Sequence, residues 1–413
     1  MDYETRLDQV IKQIDAGALD EAKAGLKELV QNKARFSPAT QATILGVVGL
    51  WHQAQGNYQK ALSSAQRGIQ LLENCRQPDE AKESLYTLVG ALHRELGNAT
   101  EARHYFEAAL AHKEAQLEEG HPDLMVALSN MGGISLDNAE YETAVNYYQR
   151  ALSIAQKQFG VESSDAAVIQ VNLGEVYRVM GQLSKASQMF TEAYQSLIQH
   201  YGLESPSLIP VLNNIGSLSI ECGMHAESLP FLTQAIAILD SKNQQAHPLL
   251  GNLCHNLACA HRELGNHEQT EQLLLKALTI RLNRLGERHQ LVGMTLNQLG
   301  MLYVQTGQFK MAQSSLSRAY DVLLSHYGKT HPALCPVINS LGQLAMQTQC
   351  YEHAKQLFEQ CIEILLNHGD YQEAHLAAYH DNLSEAFKQL ALVMEKTPGP
   401  SSHPAEKSAL LPV

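Results

Sequence analysis

No stretch of this 413-residue chain approaches the roughly 20 consecutive apolar residues needed to span a bilayer, so no membrane insertion is expected. Basic residues are in deficit, 30 Lys and Arg against 43 Asp and Glu, for a formal net charge of −13. Nonspecific nucleic-acid binding depends on clustered cations that neutralise phosphates, so no nucleic-acid partner is expected either. Cysteine is sparse and scattered, at Cys75, Cys222, Cys254, Cys259, Cys335, Cys350 and Cys361. The count is odd and no CxxC occurs, which fits reduced thiols and a cytoplasmic location. The opening residues, MDYETRLDQVIKQIDAG, are polar and acidic from the second position and do not read as a secretory signal. Catalytic motifs are missing too: there is no Walker loop, dinucleotide fingerprint, GxSxG elbow or HExxH. Isolated carboxylates such as Glu175 and Glu263 have no acid–base partner in the sequence. Neither an enzyme nor a cofactor is expected.

What the chain has instead is periodicity. A single core rarely grows to this length, so a repeat array or several domains is the starting assumption. One register is Gly17, Gly56, Gly97, Ala139, Gly181, Gly223, Gly265, Gly307 and Gln349, spaced by 39, 41 and then 42 residues throughout. Glycine recurs where a helix closes in a left-handed turn. Seven residues earlier lies a second register: Val10, Gly49, Gly90, Gly132, Gly174, Gly216, Ala258, Gly300 and Gly342. Glycine inside a helix costs about 1 kcal/mol against alanine, so its recurrence implies close approach of a neighbouring helix. Five residues after the turn, Ala22, Ala61, Ala102, Ala144, Ala186, Ser228, Thr270, Ala312 and Ala354 are all small. Nine after it, Leu26, Ala65, Phe106, Tyr148, Phe190, Leu232, Leu274, Leu316 and Phe358 are mostly large. Small and large residues alternating at helical spacing form a packing code. Each unit is too short to bury its own apolar face, so the units must stack into a solenoid.

The Gly, Tyr, Gly, Ala, Phe, Ala pattern, seen at Gly174, Tyr177, Gly181, Ala186, Phe190 and Ala193, resembles the tetratricopeptide repeat (TPR). The 42-residue period is similar to the kinesin-light-chain type. So are the inter-repeat loops Gly120-His121-Pro122, His247-Pro248, Gly286-Glu287-Arg288-His289 and Gly328-Lys329-Thr330-His331-Pro332, which read as helix starts with a polar residue before proline. The resemblance implies an all-α, right-handed TPR superhelix of about nine helix–turn–helix repeats with a C-terminal capping helix. Residues 1–76 read as N-terminal capping repeats and 77–367 as regular 42-residue repeats. Residues 368–395 hold the capping helix, at Asp370–Glu395, and 396–413 read as a disordered tail.

Nineteen histidines invite a metal hypothesis, but four recur in the inter-repeat loops and His52, His93 and His261 occupy an aromatic packing position. His255 and Cys259 could supply two metal ligands, whereas a structural zinc site wants four. No metal is expected. The informative positions are those on each first helix that packing leaves over. Asn130, Asn172, Asn214 and Asn256 stand two residues before the helix register, 42 apart, and Gln298 follows them. Asn213, His255, Asn297 and Asn339 stand one residue earlier. An amide offers a donor and an acceptor together, which suits the backbone of an extended peptide. TPR resemblance implies the same, because peptide-binding members place asparagine here. The other reading is that these amides bond to neighbouring helices. Arg94, Arg178 and Arg262 lie four after the helix register, with Glu95, Glu175 and Glu263 close by. They read either as anchors for an acidic or C-terminal group of a partner or as internal ion pairs.

Some TPR modules grip a chaperone tail with a basic and amide clamp. At the matching positions this chain has Thr87, Asn130, Asn172, Asn214 and Gln298, without the basic residues. The N-terminal heptads by which kinesin light chains pair with the motor are missing as well. The expected function is a protein-interaction scaffold or adaptor that holds a peptide segment of an unidentified protein in the concave groove, as a monomer. A ligand-responsive regulator acting in trans and a self-assembling scaffold are the alternatives.

Overall fold

The computed structural model describes residues 3–15, 18–32, 35–73, 80–241, 249–368 and 373–396. Among these the chain forms nineteen α-helices and no strand. The first six are α1 (Tyr3–Asp15), α2 (Leu19–Gln31), α3 (Pro38–Ala54), α4 (Tyr58–Glu73), α5 (Glu80–Glu95) and α6 (Ala99–Glu114). They are followed by α7 (Leu124–Asp137), α8 (Tyr141–Phe159), α9 (Ser164–Val179), α10 (Leu183–Tyr201), α11 (Ile209–Glu221) and α12 (His225–Ser241). The last seven are α13 (Leu250–Glu263), α14 (His267–Leu285), α15 (Gln290–Gln305), α16 (Phe309–Tyr327), α17 (Cys335–Gln347), α18 (Tyr351–His368) and α19 (Glu373–Lys396). Consecutive helices pair as hairpins, which makes the fold an all-α array of the TPR superhelix class. One compact unit holds α1–α11 with residues from Pro230, and a second holds Gly223–Leu229 with the residues from Leu250 onward. Gly17, Cys75, His247, Pro248 and the expected tail beyond Lys396 lie outside the described residues.

The turn register behaves as its glycines imply. Gly56, Gly97, Gly181, Gly223, Gly265 and Gly307 all have φ between +72° and +78°. Around Gly181 the Gln182 amide donates to the Tyr177 carbonyl at 2.8 Å and the Gly181 amide to the Arg178 carbonyl at 2.9 Å. These two bonds satisfy carbonyls that the helix end leaves open. Ala139 (φ 59°) and Gln349 (φ 63°) keep the same backbone without glycine, so the position is set by the hairpin and not by the residue.

The helix glycines have a more specific reason than close backbone approach. A Cβ at Gly174 would lie 2.6 Å from Phe190 Cε1, at Gly90 2.7 Å from Phe106 Cδ1, and at Gly132 2.8 Å from Tyr148 Cε2. At Gly216 it would lie 2.6 Å from Leu232 Cδ2. Each glycine is the seat of the large residue sixteen positions on, in the second helix of its own hairpin. The small register between them is fully buried in all nine hairpins, Ser228 and Thr270 included. In the first hairpin the roles are exchanged. Val10 is the bulky partner, and Gly25 of α2 makes the room, since a Cβ there would meet Val10 Cγ2 at 2.5 Å. The single tryptophan ties this end down: Trp51 Nε1 of α3 donates to the Leu19 carbonyl at 2.9 Å.

At the other end α19 covers the last hairpin. Tyr379 and Ala386 are buried, and half-buried Leu383 packs with Ala345, Ala354 and Phe358. Ala377, Ala378 and Leu392, apolar in the sequence, are exposed instead. The contact follows one stripe at 379, 383 and 386, and Tyr379 supplies most of its bulk.

Two predictions follow from this packing. Gly174→Ala should cost about 1–3 kcal/mol by overpacking against Phe190. The double variant Gly174→Ala/Phe190→Leu should recover part of that loss, because Ala258 and Leu274 form that pair in the seventh hairpin. Denaturant titration of all three variants measures the coupling, and strictly additive losses would contradict the ring-on-glycine contact. Conversely, Ala139→Gly and Gln349→Gly should each stabilise by about 1 kcal/mol through relief of the left-handed strain; a drop in melting temperature would contradict that.

Candidate functional site

In the first unit α7, α9 and α11 lie side by side. Packing consumes most of each helix and leaves one outward strip. Val126, Val168 and Pro210, 42 residues apart, share a register and are exposed, the first two at 57% and 54%. Four residues on, over the next turn of the same face, stand Asn130, Asn172 and Asn214, all half-buried. Asn213 Nδ2 donates to Asn214 Oδ1 at 3.2 Å. Among the described residues the Asn130 and Asn172 amides have no hydrogen-bond partner. The strip therefore sets a line of apolar groups beside a line of amides.

Arg94 of α5 and Arg178 of α9, one turn further along their helices, are both paired with carboxylates. Arg94 donates to Asp137 through Nε at 2.5 Å and Nη2 at 3.1 Å. Gly133 gives that guanidinium its path, since a Cβ there would lie 3.0 Å from Nη1. Arg178 is held by Glu175, at 2.7 and 2.9 Å, and by Glu221 of the next hairpin at 2.7 Å. Burial acts to lower the Arg178 pKa, but the hydrogen bonds and charges of the two carboxylates outweigh it and hold the guanidinium protonated. Glu175 and Arg178 thus form a structural rivet across α9 and α11.

The second unit repeats the registers with different contents. Arg262 donates to Glu263 Oε1 and, from Nη1, to Gln298 Oε1 at 2.5 Å. Asn339 Oδ1 accepts from Asn382 of α19 at 2.8 Å. Asn297 is buried, with its Oδ1 unpartnered, and Asn256 is half-buried and engaged. His255 is buried with Nδ1 3.4 Å from Arg281 Nη1. Burial, with the Arg281 and Arg262 charges added, pushes the imidazole pKa down to about 3. Cys259, the other half of the imagined metal pair, is pushed up to about 11, mainly by burial. Among the described residues no group of three His, Cys, Asp or Glu side chains is placed to hold a metal. The loop histidines act as helix caps: His289 Nδ1 accepts from the Leu291 amide at 3.2 Å and His331 Nδ1 from the Ala333 amide at 3.1 Å. Ser163 does the same for α9.

Sequence reading missed Arg281, on α14. It is 5% exposed and pairs with no carboxylate among the described residues. Burial alone pulls its pKa down to about 10. The signal was available, because the same register carries Leu197, Leu239, Leu323 and Leu365 in other hairpins.

His255 yields a pH prediction. Its pKa is depressed on folding, so its contribution is complete above the unfolded value near 6.5 and is lost as pH falls towards 3. The slope approaches about 1.4 kcal/mol per pH unit. His255→Asn, which installs the residue of Asn213, Asn297 and Asn339 in this register, should flatten the loss between pH 6.5 and 4. Urea titrations across that range measure it, and parallel curves for the two proteins would rule it out.

Comparison with known proteins places the array. The tetratricopeptide repeat family matches residues 82–157, 123–199, 165–241, 249–325 and 291–367, well over half of the chain. No curated protein matches the sequence. Among solved structures, a Rap protein complexed with competence and sporulation factor superposes with a TM-score of 0.54, at 14% identity over 86% of this chain and 99% of that one. Aspartyl phosphate phosphatase F from Bacillus subtilis gives 0.53, at 11% identity over 88% and 94%. TPR-like repeats of a kinesin light chain from Podosopora anserina give 0.42, at 16% identity over 51% and 99%. Among the described residues no helix is long and apolar enough to cross a membrane. On the repeat match and the hairpin geometry together, the chain belongs to the tetratricopeptide repeat family.

Proposed function

We propose that the chain is a protein-interaction scaffold that holds an extended peptide segment of a partner along the first helices of its hairpins. One observation carries this reading: the Asn130 and Asn172 amides are half-buried without a partner, beside the exposed Val126 and Val168. A pair of solvent-accessible amides on an outward strip, engaged by no other side chain among the described residues, offers donors and acceptors at one-repeat spacing. An extended backbone would supply the complement, with alternate side chains resting on the valines and Pro210. The fold is compatible with such a role, since a Rap protein of this architecture was solved with a bound factor.

The arginines enter this function as framework and not as free anchors, because Arg94 and Arg178 already meet carboxylates of this chain. Glu175 and Arg178 would then hold α9 and α11 in register for the strip. Asn213 and Asn214 extend the amide line on α11, and Asn256, Arg262 and Gln298 are its counterpart in the second unit.

The test is the double variant Asn130→Ala/Asn172→Ala, assayed against a displayed library of partner-length peptides. Melting should stay within a degree or two of the parent, since no internal bond is broken, while peptide capture falls. Reduced melting with capture retained would assign the amides to helix packing. A concentration-dependent increase in mass on sedimentation, abolished by Val126→Asp/Val168→Asp, would favour self-assembly instead.

A further inference from the structure

Arg281 breaks the packing code of the array, and it does not do so alone. Its register is a buried leucine at Leu197, Leu239, Leu323 and Leu365 and a buried alanine at Ala155; the other cation in it, Lys113, is half-buried and pairs with Glu83 at 3.6 Å. Thr295, which receives its Nη1 at 2.5 Å, stands where other hairpins carry Ile169, Val211, Leu253 and Val337. Asn252, whose Oδ1 receives Nη2 at 2.7 Å, stands where others carry Val126, Val168, Pro210 and Met294. Three apolar positions have become polar together, around one buried cation. Such a group is costly unless paired with a charge, and replacing it by a fitted apolar side chain is often neutral or stabilising. Leucine at this register is the solution that the neighbouring hairpins use.

The contacts leave one edge of the guanidinium open. Nη1 donates to Thr295 Oγ1 and to the Leu291 carbonyl at 3.0 Å, with His255 Nδ1 at 3.4 Å. Nη2 gives one hydrogen to Asn252, and Nε is buried with no acceptor. Nε–H and the second Nη2–H form the side-on fork that clasps a carboxylate with two parallel bonds. Gly251 lies beside that edge. A Cβ there would stand 3.6 Å from Nε, so the glycine keeps the edge free of a side chain. Asn252, half-buried, belongs to the outward register of the first helices within the second unit and stands between the guanidinium and that unit's surface.

We propose that Arg281 is a concealed anchor for a carboxylate of the bound peptide. Asn252 turns aside to admit the ligand, and the incoming carboxylate accepts from Nε and from the second Nη2–H. Its charge compensates a cation that has no counterion among the described residues. This rests on the peptide-binding reading above and adds the chemistry of the ligand. The carboxylate is either the peptide C-terminus or an aspartate or glutamate side chain.

The test uses the full chain and three fluorescent pools of random octapeptides: free-acid peptides without Asp or Glu, amidated peptides with one Asp or Glu, and amidated peptides without either. Arg281→Leu should melt no lower than the parent, so lost binding is not lost folding. It should weaken one carboxylate pool, and that pool names the source, by about tenfold or more, as expected for a truncated buried ion pair. The carboxylate-free pool should be unaffected. Unchanged binding of both carboxylate pools overturns the anchor and leaves the peptide groove standing. Equal weakening of all three pools assigns Arg281 a structural role and also overturns it. Failure of every pool to bind the parent overturns the groove and the anchor together.

Discussion

Seven of the nine hairpins depend on one contact, a bulky side chain of the second helix seated on a glycine or alanine of the first; the first hairpin inverts it, and in the second Gly49 faces Leu88 of α5. That seat brings the two helices close enough for the small register between them to be completely buried. The requirement is steric and reciprocal. Where Val10 replaces the helix glycine, Gly25 appears on the partner helix, and where Ala258 replaces it, the opposing residue is Leu274 and not a ring. The space at the seat stays filled while its source varies, and at Gly49, where the opposing residue is Ala65, Leu88 of α5 fills it, as close-packed interiors demand. A glycine that looks expensive within its own helix is therefore repaid in the hairpin.

Once packing has taken its share, each first helix retains a narrow outward strip, on which the proposed peptide binding rests. In the first unit the strip carries Val126, Val168 and Pro210 in one register and Asn130, Asn172 and Asn214 in the next, with Arg178 beyond them on α9. Charge on it is neutralised internally: Arg94 with Asp137, and Arg178 with Glu175 and Glu221. What stays open is neutral hydrogen bonding, which suits a peptide backbone better than a charged ligand. The second unit differs in kind. Its polar content lies beneath the outward register, at Arg281, His255 and Thr295, and of these Thr295 stands where other hairpins carry Ile169, Val211, Leu253 and Val337.

The fold was legible because the same local solution is used nine times. Turn glycines, seats and fillers recur at one period, so each position is read against eight copies of itself. The candidate site was legible only as a set of candidates. Asn130 and Asn172 have no partner among the described residues, whereas Asn339 bonds to Asn382 and Gln298 to Arg262, and neither partner follows from spacing. The arginines were read beside the acids next to them in sequence. Arg94 in fact reaches Asp137, and Arg178 adds Glu221 to Glu175. Both extra partners lie 43 residues on, across a hairpin boundary. Arg281 went unnoticed because a single departure from a register is easily taken for surface variation until its burial is known.

The sequence by itself determined the hairpin: where helices close, which residue sits on which, and how many units stack. These are contacts between residues close in the chain, and repetition makes them visible as a period. Only the tertiary structure decided which polar side chains are spent and which are free. That depends on how adjacent hairpins bring their faces together, and a contact made once leaves no period behind.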